Sequence, residues 1–294
     1  MSGTLNSVNT NTGAMVALDA LDATNSQLNS VQKQISTGYR VADAVDDGAA
    51  YAVAQSVRSS VGALTTANQQ LGSAQGLLST TSSALNDVSN IMSSMRDVLV
   101  NLASSAITGN ERSQYESQYA SLTANVKSFV QDSIYNGQSL IGNINNSAGA
   151  LPAAYGGISV VRNEVGTAYT VGAFDASTAY HAISFGGVGS TTLASATQVA
   201  ALITAGGTFI TQANSVSTEM NTYGAATNFI NNQVSYNSDK INSLNAGLGS
   251  LVDANLAQES ALLQALQIKQ QLATQSLTLA DQTPQILLSL VKGA

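Results

Sequence analysis

Residues 57–102 read VRSSVGALTTANQQLGSAQGLLSTTSSALNDVSNIMSSMRDVLVNL. Val57, Leu64, Leu71, Leu78, Leu85, Met92 and Leu99 recur at every seventh position without a slip. Three positions after each stand Ser60, Ala67, Ala74, Thr81, Val88, Met95 and Leu102. Apolar or small residues alternating by three and four keep one stripe of an α-helix facing one neighbour. At 1.5 Å rise per residue the stretch predicts a rod of about 69 Å, far beyond an ordinary globular helix. A coiled coil or extended bundle is the fold that uses such a rod.

The same alternation appears on either side of it. Tyr115, Tyr119, Leu122, Val126 and Phe129 predict a second helix, preceded by the turn chemistry of Thr108-Gly109-Asn110. Val216, Met220, Tyr223, Thr227, Ile230, Val234, Asn237, Ile241, Leu244, Leu248 and Leu251 predict a third, long one. The expected core of the bundle is Val57, Leu64, Leu71, Leu78, Leu85, Met92, Leu99, Ile230, Val234, Ile241 and Leu244. Toward the N-terminus, Ala14, Leu21, Leu28 and Ile35 are seven apart, with Leu18, Asn25 and Gln32 interleaved. Toward the C-terminus, Leu256, Leu263, Gln270 and Leu277 repeat beside Leu266, Ala273 and Ala280. Leu262, Ile268, Leu272 and Leu279 lie off that line, so the last helix is apolar on more than one side and needs cover. Asn25, Gln32, Gln270 and Asn237 are polar residues on these seams. Such residues fix register at some cost in stability and are expected to permit two packing states.

Between these helices, from about 142 to 207, Gly pairs separate short runs: Ile158-Ser159-Val160-Val161, Tyr169-Thr170-Val171 and Ala182-Ile183-Ser184-Phe185. They predict short strands and hairpins, with a helical fragment near 196–204. The fold class is therefore mainly α: a long antiparallel helical bundle or coiled coil from the N- and C-terminal segments, with a small β-rich central insert.

Composition narrows function. The chain has 294 residues, 9% charged and 44% hydrophobic, with no Cys, no Trp, one His and two Pro. Charged residues are far below the roughly 25% of an ordinary domain. No Cys and one His leave no thiol chemistry and no His-pair zinc site. A net charge of −7 with ten scattered basic residues offers no stripe for nucleic acid. The longest apolar runs are too short to span a membrane. No basic residue precedes Lys33, so a cleavable secretory signal is not expected. His181 has no nearby Cys and no obvious orienting acid in sequence and reads as structural or exposed. Asp46-Asp47, with Asp43 nearby, reads as a turn or helix cap rather than a metal site. Gly187-Val188-Gly189-Ser190 lacks the Lys of a phosphate loop and reads as a turn, and Asn145-Asn146-Ser147 fits a glycosylation triplet common by chance. No catalytic, cofactor or metal site is expected.

Particular segments resemble bacterial flagellin. Val8-Asn9-Thr10-Asn11 is similar to the family's opening, Ser36-Thr37-Gly38-Tyr39-Arg40-Val41 to its Ser-Gly-x-Arg-Ile turn, and Asp46-Asp47-Gly48-Ala49-Ala50 to its paired-Asp stretch. Asn136-Gly137 with Leu140-Ile141 resembles the close of its second helix. Residues 252–259, Gln270-Gln271 and residues 284–290 resemble its C-terminal segment. The likeness covers 4–142 and 215–291. The chain departs from it at Ser94 and Leu251, where many members carry Arg. Ser94 lies, with Asp97 and Val98, in the stretch that a toll-like innate receptor recognises in the family. Gly247 and Gly249 stand where helix-favouring residues are usual and are expected to mark a bend.

The resemblance implies a structural subunit that polymerises into the extracellular filament used for swimming, not an enzyme. The alternative is a hook–filament junction protein. It implies residues 1–40 with 252–294 as an inner coiled-coil domain lining the filament channel, 41–142 with 208–251 as a helical bundle domain, and 143–207 as a variable surface insert. The expected polymerisation interface is Leu18, Leu21, Leu28, Ile35, Leu256, Leu263, Leu266 and Leu277. Implied partners are further copies of the chain, an export chaperone on the C-terminal helix, the flagellar type III export apparatus, and the cap and hook-associated proteins. No partnership with nucleic acid or membrane is implied.

Overall fold

The computed structural model describes residues 10–142, 144, 154–185, 192–193 and 195–292, with side chains described up to 282. Val8 and Asn9, the 145–147 triplet and the 187–190 turn lie outside these residues. In chain order the elements are α1 (Thr12–Thr37), α2 (Gly48–Leu102), α3 (Gly109–Asp132), β1 (Gln138–Ser139), β2 (Ala154–Tyr155), β3 (Ile158–Val161), β4 (Ala168–Val171), α4 (Ala176–Ile183), α5 (Ala196–Leu202), α6 (Thr208–Val252) and α7 (Leu256–Lys292). The chain is mainly α, with long helices and a small strand-bearing insert.

Local chemistry sets the boundaries. Asn11 caps α1, its Oδ1 accepting the Ala14 N–H at 3.0 Å. Gly38 ends α1 with φ +74°, a left-handed conformation that glycine adopts without Cβ strain. Asp47 caps α2, its carboxylate accepting the N–H groups of Ala49 and Ala50, both at 3.0 Å. Gly247 and Gly249 do not end the helix. α6 continues through both to Val252, and the break comes at 253–255. Helical glycine is a weak penalty, not a stop.

Residues 60–242 form one compact unit and residues 1–59 with 243–294 another. In the 60–242 unit, Leu64, Leu71, Leu78, Leu85, Met92, Leu99 and Ile230 are buried, Val234 and Ile241 half-buried. Every three-residue partner from Ala67 to Leu102 is buried too. A third line on α2, Leu77, Ala84 and Val98 with half-buried Ile91, widens the stripe. Residues of the central segment share this core: Ile144, Val171, Ala176, Ile183, Leu193 and Val199.

Two details correct the sequence reading. On α3 the buried line is Glu116, Tyr119, Thr123, Val126 and Val130, and Phe129 is exposed. From Tyr119 onward the spacing is four, three, four, which carries Phe129 off the packed face. The run at 182–185 is not a strand. Its first residues end α4, capped by Asp175, whose carboxylate accepts the N–H groups of Ser177 and Thr178 at 3.0 and 3.2 Å. Ala176, Ala179 and Ile183 then share one buried face at helical spacing. A cap outweighs the weak strand preference of Ile and Phe.

β3 and β4 pair antiparallel, from Ile158 opposite Val171 to Val161 opposite Ala168, and β1 pairs parallel with β2. Polar bonds seat the β3–β4 hairpin on the helices. Val161 N–H donates to the Gln70 side chain at 3.1 Å. The Asn237 amide donates to Arg162 O at 3.0 Å and Asn68 Oδ1 at 2.8 Å. Lys240 pairs with Glu164, whose carboxyl it holds below the usual range. Asn237 is fully buried, so its bonds satisfy groups that would otherwise be stranded.

Candidate assembly surface

The unit of residues 1–59 and 243–294 carries the sequence features that point outward. α1 and α7 lie antiparallel: Asn11 meets Ala280, Asn25 meets Gln270, and Leu28 and Val31 pack with Leu263 and Leu266. The packed line on α1 is Ala14, Ala17, Leu21, Thr24, Leu28, Val31 and Ile35, with Asn25, Lys33 and Gln34 also half-buried. On α7 it is Glu259, Leu263, Leu266, Gln270, Ala273, Leu277 and Ala280. Both lines step by threes and fours, as a left-handed pair of helices requires. The interleaved set on α1 is therefore Ala17, Thr24 and Val31. Leu18 and Gln32 are exposed, and Asn25 sits at the seam's edge, accepting a hydrogen bond from Gln270 Nε2 at 2.7 Å.

Six of the eight residues expected to join subunits thus lie on the pairing face within one chain: Leu21, Leu28, Ile35, Leu263, Leu266 and Leu277. Leu18 (47% exposed) and Leu256 (49%) do not. The unpaired apolar surface is elsewhere. Ile268, Leu272 and Leu279 are 59%, 57% and 70% exposed. At 100° per residue they fall within about 40° of one another, on the side of α7 away from α1. Sequence spacing puts these three, with Leu262, off the seam. It could not tell that the seam itself is filled from within.

The turns at the base of this pair are tied together. Arg40 N–H donates to Val252 O at 2.7 Å, and its guanidinium donates to Leu251 O at 2.5 Å. Ala254 N–H donates to Gly38 O at 2.9 Å, and Arg58 stands 6.0 Å from the Tyr39 ring centroid. Val41, Ala50, Ala54 and Val252 form a small buried cluster there. The turn of residues 42–47 is built by its acids. Asp46 Oδ2 accepts the Ala42 and Asp43 N–H groups, and Asp43 Oδ1 those of Val45 and Asp46. Lys33 Nζ donates to Asp43 at 2.7 Å and Asp46 at 2.8 Å. These bonds lower both carboxyls below the ordinary carboxylate range and raise the Lys33 ammonium above its own.

Elsewhere, His181 is exposed on α4 with its ring edge-on to Tyr180. Arg112, missed in sequence, bonds Leu102 O at 3.0 Å and Leu193 O and lies 3.5 Å from the buried Glu116 carboxylate. Its i, i+4 spacing with Glu116 was the available signal. Among the described residues, no three of His, Cys, Asp or Glu gather where a metal could sit, and no helix is long and apolar enough to cross a membrane.

Comparison with known proteins agrees with this architecture. The family model of the bacterial flagellin N-terminal helical region matches residues 8–146, and that of the C-terminal helical region matches residues 207–291. Flagellin FljM of Caulobacter vibrioides is 30% identical over 288 residues, covering 98% of this chain and 99% of that protein. A flagellin of Brucella melitensis is 33% identical over 295 residues, with 98% and 99% covered. A crystal structure of Bacillus cereus flagellin, 18% identical, covers 66% of this chain and 94% of that one with a TM-score of 0.37.

Proposed function

The chain belongs to the bacterial flagellin family, the subunits of the flagellar filament, and from that premise we propose that copies join through the second apolar stripe of α7, Ile268, Leu272 and Leu279, and through the exposed Leu18 and Leu256. The rival role at the hook–filament junction is not favoured, because both terminal models and the relatives named above are flagellins. The observation that carries the interface is the exposure of that stripe while the α1–α7 seam is already filled. Burying each such side chain stabilises by roughly 1–2 kcal/mol, and a filament repeats the gain at every subunit. The contact is heterologous, since only a contact that does not close on itself builds a helical polymer. Leu21, Leu28, Ile35, Leu263, Leu266 and Leu277 act indirectly, by shaping the helix pair that presents the stripe. In this reading residues 1–40 with 252–294 line the channel, 41–142 with 208–251 surround them, and 143–207 reach the outer surface.

Export and assembly follow from the same surface. An apolar stripe without cover invites a chaperone on the C-terminal helix before export. The flagellar type III apparatus then passes the chain, and the cap and hook-associated proteins receive it. The chain is a structural subunit with no catalytic task. Seeded regrowth of heat-dissociated filaments tests the interface. Ile268→Asp, Leu272→Asp and Leu279→Asp are expected to abolish regrowth while leaving the helical signal of the 60–242 unit intact. Normal regrowth in all three would exclude the stripe.

A further inference from the structure

α7 contains one of the two prolines of the chain, Pro284, and yet runs unbroken to Lys292. In an α-helix each carbonyl accepts from the N–H four residues on. Pro284 has no N–H, so the carbonyl of Ala280 loses its partner. The Asn11 side chain supplies one: its Nδ2 donates to Ala280 O at 2.8 Å, across 269 residues of sequence. The Oδ1 of the same amide accepts the Ala14 N–H at 3.0 Å, and the Asn11 carbonyl accepts from Met15 N–H at 3.1 Å. One side chain thus starts α1 and mends α7. The helices are close here, since a Cβ on Gly13 would lie 3.9 Å from that of Ala280.

We propose that Asn11 is a positioning residue for filament assembly: its amide replaces the hydrogen bond Pro284 cannot make, and so sets the register in which α1 and α7 fold on each other. The chemistry is selective on both sides. Asn carries a donor and an acceptor on one short arm; Asp lacks the donor, and Ser is too short to span both helices. The carbonyls next to Ala280 in α7 have their own N–H partners four residues on, so a slip of the two helices by one residue would set the Asn11 amide against an acceptor already served. The bond also couples order at the two ends, because it exists only when both are helical. It complements the Asn25–Gln270 bond further along the seam, which fixes the same register without filling a gap.

The inference rests on the assembly reading above, and unmodified chain in the same assay separates the two: if that chain forms no filaments, the assembly reading fails first. The critical concentration for seeded filament growth is measured for Asn11→Ser, Pro284→Ala and the double variant. Asn11→Ser keeps the cap of α1 and loses the bridge, and is expected to raise the critical concentration about five-fold, the scale of one lost hydrogen bond. In the Pro284→Ala chain, where residue 284 regains its N–H, the same substitution is expected to change it by less than about two-fold. If Asn11→Ser stops growth altogether, the double variant should restore it. An equal penalty in both chains, no penalty beside Pro284, or no restoration would each overturn the proposal. Asn11→Asp closes the remaining gap: it caps a helix well but has no amide hydrogens, and must lose as much as Asn11→Ser. Growth like that of the unmodified chain would overturn the idea whatever Pro284→Ala does.

Discussion

At the scale of single residues, charged groups in this chain build turns rather than chemistry. Lys33, Asp43 and Asp46 hold the α1–α2 turn, and their titration has a definite sign. Hydrogen bonds from Lys33 and from the turn's own amides depress both carboxyls. A depressed carboxyl contributes stability that is present above its unfolded value, about 3.9, and lost as pH falls through the lower folded value. The raised Lys33 contributes stability that is complete below its unfolded value, about 10.4, and lost only as pH climbs through its higher folded value. The turn is therefore expected to stay closed from about pH 4 to pH 10 and to open outside that window. Amide exchange at Ala42 and Asp43, whose N–H groups bond Asp46, reads it directly. Asp46→Asn should speed that exchange at neutral pH and flatten its acid rise. An unchanged profile would mean that the backbone alone holds the turn. Paired acids followed by Gly-Ala-Ala were legible as a cap and a turn, and Asp47 does cap α2. Lys33 was not legible as their partner, because the pairing depends on how α1 ends, at Gly38.

At the scale of elements, periodicity carried most of the information and lost it where packing is broad. The α2 heptads were readable because nearly every seam position is apolar or small and neighbours lie on one side. The third line, Leu77, Ala84, Ile91 and Val98, joins a core that also takes in α3, α6 and the insert, a breadth no heptad announces. α4 was misread because eight residues are too few to show a period, and a single Asp175 cap decided its state. The burial pattern yields a sharp contrast on α2. Leu85 is fully enclosed, and Leu85→Ala should destabilise the chain by about 2–5 kcal/mol through lost transfer energy and the cavity left behind. Val100 is more than half exposed, and Val100→Ala should stay within about 0.5 kcal/mol. Denaturant unfolding of the unassembled chain measures both. Equal effects would show that α2 is not packed along one stripe.

At the scale of the whole molecule, the tails were legible as apolar seams, but their partner was not. An antiparallel partner from the same chain and one from the next copy satisfy the same heptads, so spacing cannot choose between them. The structure fills the seam from within, and the proposed reading therefore places association on the second stripe of α7. That division has a consequence for truncation. Among the described residues, those of the large core run from Leu71 to Ile230, all in the 60–242 unit. The α1–α7 seam holds only a small cluster, Leu28, Val31 and Leu266 with Ile35 and Leu263 beside it. Removing residues 1–40 and 252–294 together takes away that seam and the exposed stripe but leaves the large core whole. The remaining chain is expected to stay helical and to melt cooperatively, yet to remain monomeric by sedimentation at concentrations where the full chain grows on seeds. Each added copy buries apolar surface in the proposed reading, and the truncated chain lacks Ile268, Leu272 and Leu279. Filaments of normal diameter from the truncated chain would locate the joining surface in the 60–242 unit instead. A truncated chain that fails to melt cooperatively would show that this unit leans on the tails for its own stability, against the closed core that its residues describe.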